Sequence, residues 1–203
     1  MQVKRYFLAF LLFMGLVPAI WADPAEQLSQ ILQSFDTYTA DFKQVNYTEK
    51  GQVTSQSIGT VMIKRPGKFR WETQSPTHQI IITDGQALWV YDVDLAQVSK
   101  QALSSRTPLN PAMILSGTLE NLNQTFNVTS TTPNVFVLTP KPNDYNFKKV
   151  TLKFDSNLLT EMTVINNLSQ TSYFQFSNVK INPPLTDDLF NFVPPAGVDV
   201  ISQ

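Results

Sequence analysis

The chain has 203 residues, with 15 Lys and Arg against 16 Asp and Glu, a formal net charge of −1, and no cysteine. Without a basic run or a basic patch interleaved with aromatic residues, the charge pattern argues against nucleic-acid binding. The lack of cysteine excludes disulfides, a thiol nucleophile and a thiolate metal site.

Residues 1–22 have the pattern of a secretory signal peptide. A Lys-Arg pair precedes an apolar run over residues 6–17, and "PAIWA" then ends in the small residue Ala22. The apolar run is too short to span a bilayer as a helix, so we expect cleavage after Ala22, with an uncleaved anchor as the alternative. We expect residues 23–203 to form one soluble domain, since no cysteine is present to carry a lipid anchor.

A first helix is predicted directly after this segment. Asp23 can cap it, Pro24 suits its first position, and Glu26 can close a capping box. Four apolar residues then recur at helical spacing: Leu28, Ile31, Leu32 and Phe35. We expect this stripe to pack on a sheet.

From Tyr38 onward the apolar period changes to two, which is typical of strands. Turn sequences such as "RPG", "TDG" and "DSN" separate the alternating segments. The predicted strands are Tyr38–Tyr47, Ser57–Arg65, Lys68–Thr73, Gln79–Thr83, Ala87–Val93, Ala96–Ala102, Thr125–Thr129, Asn134–Thr139, Phe147–Phe154, Leu158–Asn166 and Thr171–Ile181. Strands joined by tight turns predict a mainly β fold with helices, an incomplete antiparallel β-barrel of about 11 strands.

The segment over residues 106–122 lacks this alternation of apolar and polar residues. Asn110 can cap a second helix, Pro111 suits its first turn, and Gly117 suits its end. The apolar residues of this predicted helix are Leu109, Ala112, Met113, Ile114 and Leu115. A short helix with almost no polar side must be covered on most sides, so we expect it to cross the concave face of the sheet as a lid.

After residue 181 prolines block regular structure. The apolar side chains of this C-terminal segment are Leu189, Phe190, Phe192 and Val193. We expect them to dock on the outside of the sheet.

The residues give little support for catalysis. His78 is the single histidine, and an ordinary, partly exposed residue explains it better than a general base or metal ligand. The neighbouring pairs Asp92 with Asp94 and Asp187 with Asp188 fall at turns, where aspartate is favoured for its local hydrogen bonds. We therefore expect no enzymatic activity, no metal and no cofactor.

An apolar surplus remains on the strands, in stripes at spacing two that are typical of a filled core. A sheet bent this far also encloses a volume that two short helices need not fill, and barrels of this size commonly hold an apolar ligand. The side chains predicted to line such an apolar cavity are Val61, Ile63, Phe69, Trp71, Trp89, Tyr91, Val150, Leu152 and Phe154. Strand parity also places Arg65 on this apolar face, whereas Arg70 has an outward position beside Glu72.

Four stretches, "IGTVMIKRPGKFRWE", "IIITDGQALWVYDVDLAQV", "TPLNPAMIL" and "FNFVPPAGVDVI", resemble the LolA family of periplasmic outer-membrane lipoprotein carriers. The resemblance extends in order over nearly all of residues 23–203. It implies an incomplete barrel, lidded by helices, whose apolar cavity takes the acyl chains of lipoproteins. It also implies a periplasmic monomer that receives lipoproteins from an inner-membrane ABC transporter and delivers them to LolB, an outer-membrane acceptor.

The resemblance also implies residue roles. Arg65 matches the family's "KRP" arginine, which bonds to the lid helix in the closed form, and Phe69 matches an aromatic position implicated in receiving cargo. Trp71 matches the tryptophan that follows, while Arg70 stands at a variable position. Physical chemistry supports the Arg65 latch, because a guanidinium has five donors and the carbonyls that end the lid helix, over residues 114–117, are natural acceptors. A surface arginine with its head group in solvent is the alternative.

We accordingly expect a closed empty state and an open loaded state. Two rival functions belong to other classes: a lipid- or lipoprotein-sensing regulator built on a similar half-barrel, and a periplasmic lipid hydrolase that would need His78. The regulator would require a further interaction domain. LolB itself would require an N-terminal cysteine for lipidation, and the sequence has none.

Overall fold

The structure is a computed structural model that describes residues 23–103, 111–116, 122–141 and 146–202, with the backbone alone for residues 111 and 112. The predicted signal peptide, residues 1–22, lies outside the described residues, as do Leu109 and Gly117 of the predicted lid helix. No helix among the described residues is long and apolar enough to span a membrane.

Two α-helices, two 3-10 helices and twelve strands make up the described chain. The helices are α1 (Pro24–Gln33), α2 (Leu122–Thr125) and the 3-10 helices Pro111–Leu115 and Asp187–Phe190. The strands are β1 (Thr37–Tyr47), β2 (Val53–Lys64), β3 (Lys68–Ser75), β4 (Gln79–Thr83), β5 (Ala87–Asp92), β6 (Gln97–Ala102), β7 (Phe126–Thr132), β8 (Val135–Pro140), β9 (Phe147–Asp155), β10 (Leu158–Asn166), β11 (Thr171–Ile181) and β12 (Asp199–Ser202).

The strands form one open sheet in the order β12-β6-β5-β4-β3-β2-β1-β11-β10-β9-β8-β7. All neighbours are antiparallel except β12, which pairs in parallel with β6. The edge strands β12 and β7 do not close on each other, so the predicted incomplete barrel is confirmed. The prediction missed β12, because four residues are too few to show an alternating pattern.

Helix α1 begins as predicted. The Asp23 carboxylate accepts a hydrogen bond from the backbone N–H of Ala25 at 3.1 Å, and Pro24 occupies the first turn. Leu28 and Leu32 are fully buried in the core cluster together with Phe35. The apolar stripe thus anchors the helix on the sheet, where it also contacts β7.

The cross-strand register decides which side chains share a face, because residues directly opposite each other in a ladder point the same way. Val61 lies opposite Trp71, and Ile63 lies opposite Phe69. These residues belong to one apolar cluster that continues onto β8–β11, and we call the face that carries it the concave face. The opposite face is called the convex face.

The C-terminal segment packs on the convex face. The Phe192 ring lies 5.5 Å from Trp89 and 5.6 Å from Tyr91 between centroids, and Phe190 is buried. The Asp187 carboxylate forms salt bridges with Lys64 at 2.7 Å and with Lys68 at 2.9 Å. Outside docking is confirmed for Phe192, while Phe190 is buried in a 3-10 helix that contacts β3.

Of the other two residues predicted to dock, Leu189 is half-buried. Val193 was wrongly predicted, because its side chain is 82% exposed. The segment therefore presses alternate side chains against the sheet rather than all four.

Candidate functional site

Most side chains predicted to line an apolar interior come together on the concave face. Seven of the nine are buried there, each with at most 4% of its surface exposed: Val61, Ile63, Phe69, Trp71, Val150, Leu152 and Phe154. They come from β2, β3 and β9, so both halves of the sheet contribute. Since α1 and the first 3-10 helix contribute to the same cluster, this face is shielded from solvent.

The two remaining predictions, Trp89 and Tyr91, are wrong. Leu88 of β5 lies opposite Thr83, which lies opposite Phe69, so Leu88 is the residue that faces the concave side. Trp89 and Tyr91 are offset from Leu88 by odd numbers of residues, so they point to the convex face, where their rings lie near Phe192. Both faces of β5 are covered, so its aromatic pattern alone did not reveal which one belongs to the interior.

Only one member, Trp71, of an aromatic stack on the concave face was predicted from the sequence. The Phe42 ring stacks on Trp71 with 3.9 Å between centroids, and the Phe174 ring meets Trp71 edge-on at 5.5 Å. Gly59 lies opposite Phe42 and makes room for its ring, since a Cβ on this glycine would stand 2.6 Å from it. A glycine inside the alternating "SIGTV" was the available signal, because such glycines mark close approaches.

The predicted lid helix is a 3-10 helix, Pro111–Leu115, which we call the lid segment. A five-residue run leaves little room for i→i+4 hydrogen bonds, and the tighter 3-10 turn is the usual form of such short pieces. Met113 and Leu115 lie in the core cluster, and Ile114 packs against it. The side chain of Ala112, like residue Leu109, lies outside the described part of the chain.

Arg65 joins the lid segment to the sheet. Its Nε and Nη2 donate to the Leu115 carbonyl oxygen at 3.3 and 2.8 Å, and its Nη1 donates to the Leu32 carbonyl near the end of α1. The guanidinium also lies over the Phe35 ring, 4.4 Å from its centroid. One side chain therefore contacts both the lid segment and α1, two of the helical elements that contribute to the apolar cluster.

Among the described residues, no carboxylate forms an ion pair with the Arg65 guanidinium. Burial lowers the pKa of Arg65 to about 10, while the nearby charge of Asp36 opposes this shift. The side chain therefore remains protonated at neutral pH. Carbonyls that end a helix are electronegative and lack partners within it, so they suit a cation.

Gly67, two residues further on, adds a second bond that sequence reasoning missed. Its backbone N–H donates to the Ser116 carbonyl at 3.1 Å, directly after the lid segment. Gly67 has φ +74°, a conformation that favours glycine. Ser116 is itself buried, and its hydroxyl donates to the Met113 carbonyl at 2.9 Å.

Polar residues of the convex face form a separate group. Arg70 Nη2 donates to Glu72 Oε2 at 2.8 Å, which agrees with the predicted outward position, and His78 Nε2 lies 2.9 Å from Glu72 Oε1. Burial would raise the pKa of Glu72, but the hydrogen bonds and charges of these two partners lower it below its usual value. Within the described ranges no three His, Asp or Glu side chains are grouped as a metal site.

These features define a class of proteins with an open β-barrel whose apolar concave face is shielded by helical segments. A LolA superfamily protein from Nitrosomonas europaea has the same fold, with a TM-score of 0.50 at 14% identity over 83% of this chain and 98% of that one. An uncharacterized conserved protein from Thermus thermophilus gives a TM-score of 0.53 at 11% identity, covering 88% of this chain and 99% of its own.

Sequence comparison identifies the family within this class. Residues 33–193 match the family model of the outer membrane lipoprotein carrier protein LolA. An outer-membrane lipoprotein carrier protein of Coxiella burnetii is 48% identical over 96% of this chain and 94% of its own length. One of Pseudomonas aeruginosa is 36% identical over 88% of this chain and 87% of its own. The chain belongs to the LolA family of outer-membrane lipoprotein carriers.

Proposed function

We propose that this chain is a periplasmic carrier that holds the acyl chains of lipoproteins on its concave face and is not an enzyme. Family membership supports the lipoprotein cargo, and the buried apolar cluster offers a surface of matching chemistry. The observation that carries the proposal is the Arg65 guanidinium, which bonds the lid segment and α1 through single backbone carbonyls. Such an attachment can be released without breaking the sheet.

We assign the structure to the closed, empty form. Met113 and Leu115 are buried against the concave face, in the place that cargo would take. If the concave face of an empty carrier were exposed, it would form a large hydrophobic patch prone to non-specific association, and the closed lid segment covers it. Loading replaces these side chains with acyl chains, so the open form buries the face with cargo instead.

The free energy of removing an acyl chain from water favours transfer by direct contact between carrier and acceptor. At about 0.8 kcal/mol per methylene, a sixteen-carbon chain gains about 12 kcal/mol on leaving water. A free energy of that size slows escape into water by roughly eight to nine orders of magnitude, at about 1.4 kcal/mol per factor of ten. Cargo must therefore pass directly from one apolar surface to another.

This requirement suits the two partners implied by the family. We propose that the chain acts as a monomer, receives lipoproteins from the inner-membrane ABC transporter and delivers them to LolB. Phe69, the proposed receiving residue, is fully buried in the same apolar cluster as residues of the lid segment and α1. It can meet cargo only after these elements move.

The test uses residues 23–203, a triacylated lipopeptide and the same peptide without acyl chains. Native mass spectrometry should show a complex with the acylated peptide alone, and lipoproteins should co-purify with the chain from the periplasm. Equal binding of the two peptides, or no binding of either, would refute the proposal.

The latch is tested by onward transfer to a purified acceptor. Arg65→Leu should load more readily and release less, because it removes the bonds that favour the closed form. Arg70→Leu is the matched control, since Arg70 is also half-buried but pairs with Glu72 on the convex face. Normal transfer by the Arg65 variant would contradict the latch while leaving the carrier function intact.

A further inference from the structure

The hydroxyl of Tyr38 is the one buried side-chain polar atom without a hydrogen-bond partner among the described residues. The side chain is 1% exposed and belongs to the concave cluster. It lies opposite Ile63 on the neighbouring strand, and its ring centroid is 5.6 Å from that of Phe35. Its surroundings are thus apolar.

An orphaned hydroxyl destabilises the closed form. Moving it out of water without a partner carries a free-energy penalty that a phenylalanine of the same shape would avoid. Buried polar groups are nearly always paired, so an exception calls for a physical explanation. Burial also raises the pKa of Tyr38, which keeps the hydroxyl protonated and able to donate.

The position of Tyr38 relates it to the latch. It lies opposite Ile63, two residues before Arg65, and it packs against Phe35, over whose ring the guanidinium rests. Ala40 and Phe42 continue the same face further along β1, and they are equally apolar and buried. The hydroxyl therefore stands at the latched end of the apolar face.

We propose that the Tyr38 hydroxyl donates a hydrogen bond to a carbonyl oxygen of the ligand, at the ester or amide group that joins an acyl chain to its head. This inference rests on the proposed function. A hydrocarbon chain needs no donor, but its linkage carbonyl loses water on entering an apolar site and must regain a partner. The linkage then lies beside Tyr38, and the chains extend beyond it over Ala40 and Phe42.

The test compares two lipids that differ only in the carbonyl. Dipalmitoylglycerol has ester linkages, while dihexadecylglycerol has ether linkages and chains of the same length. Residues 23–203 should bind the ester lipid about two- to tenfold more tightly than the ether lipid, the range of one neutral hydrogen bond. Tyr38→Phe should abolish this preference by weakening the ester lipid alone.

Tyr91→Phe is the matched control, because it removes a hydroxyl from the convex face, beside Phe192. It should leave both affinities unchanged. An ester preference that survives in Tyr38→Phe overturns the inference but not the carrier function. Failure of the wild-type chain to bind either lipid overturns both.

Thermal unfolding of the empty protein gives an independent result. Tyr38→Phe should raise Tm by about 2–5 °C, since the substitution removes an unpaired buried hydroxyl and keeps the ring. A lower Tm would mean that the hydroxyl has a partner in the closed form, and the reason to assign it to a ligand would then disappear.

Discussion

The proposed Arg65 latch leads to a quantitative prediction about how often the lid segment opens. Arg65→Leu keeps apolar bulk at the position but removes two N–H donors from the Leu115 carbonyl and one from the Leu32 carbonyl. The Gly67 N–H bond to Ser116 is untouched. The lid segment should therefore open more often without the protein unfolding.

The size of the effect follows from the lost contacts. A hydrogen bond from a charged donor contributes about 1.5–3 kcal/mol, and the two donors to Leu115 share one acceptor, so we count them once. At about 1.4 kcal/mol per factor of ten, the opening equilibrium should increase about ten- to a hundredfold. The bond to α1 adds to this value only if α1 moves with the lid segment.

Thiol reactivity can measure this equilibrium, because the natural chain contains no cysteine. Ser116, directly after the lid segment, is 2% exposed, so a Ser116→Cys thiol should react with a soluble reagent only after opening. Introducing Arg65→Leu into this background should raise the modification rate by the factor above. The urea dependence of the rate should remain small, as expected for local rather than global opening.

Arg70→Leu in the same Ser116→Cys background is the control and should leave the rate near its starting value. The latch would be refuted if Arg65→Leu did not change the rate. It would also be refuted if both arginine variants accelerated the reaction equally, since that would indicate general destabilisation.

Three further outcomes follow from the geometry. Gly59→Ala should lower the free energy of unfolding in urea by about 3 kcal/mol or more, because its Cβ would lie 1.9 Å from a backbone oxygen and 2.6 Å from the Phe42 ring; a near-neutral result would contradict this packing. Hydrogen bonds from two lysines lower the pKa of Asp187 to about 2, so their stabilisation of the folded protein is present above about pH 4 and is lost as the pH falls toward 2. The indole NMR signal of Trp89 should report this loss, and Asp187→Asn should abolish the pH dependence. Trp71→Ala should weaken lipopeptide binding, whereas Trp89→Ala should not, and equal losses would contradict the assignment of the two faces.

The sequence predicted most of the strands because nine of the eleven strand pairs join neighbours in the chain, the exceptions being β1 with β11 and β6 with β12. Each hairpin has its own turn residues between two alternating segments, as in β4 and β5 around Asp84-Gly85. Strand β12 has neither signal, because it is four residues long and pairs with β6, a strand distant in the chain. Its position depends on tertiary packing of the C-terminal segment.

The candidate site was predictable where parity alone decides it. Parity placed Val61, Ile63 and Arg65 on one face, and the structure agrees. Parity failed for Trp89 because β5 is covered on both faces: Leu88 is buried in the core on one face, and Phe192 partly covers the aromatic rings on the other. Long-range partners such as the Leu32 carbonyl have no sequence signal, since any residue offers a backbone oxygen.

The proposed latch has backbone carbonyls as its partners, and this has a consequence for transport. When the lid segment leaves, the guanidinium and the carbonyls can each bond to water, so opening leaves no buried charge unpaired; a carboxylate partner in the same half-buried place would make opening depend on salt and pH. A latch of about 1.5–3 kcal/mol equals the burial of only about two to four methylenes. It can therefore keep the empty face closed, but it can neither hold nor expel an acyl chain of about 12 kcal/mol. Under the proposed function, the direction of transfer then comes from an acceptor whose apolar surface binds the chain slightly better, and the closing lid segment contributes a small, constant bias toward release.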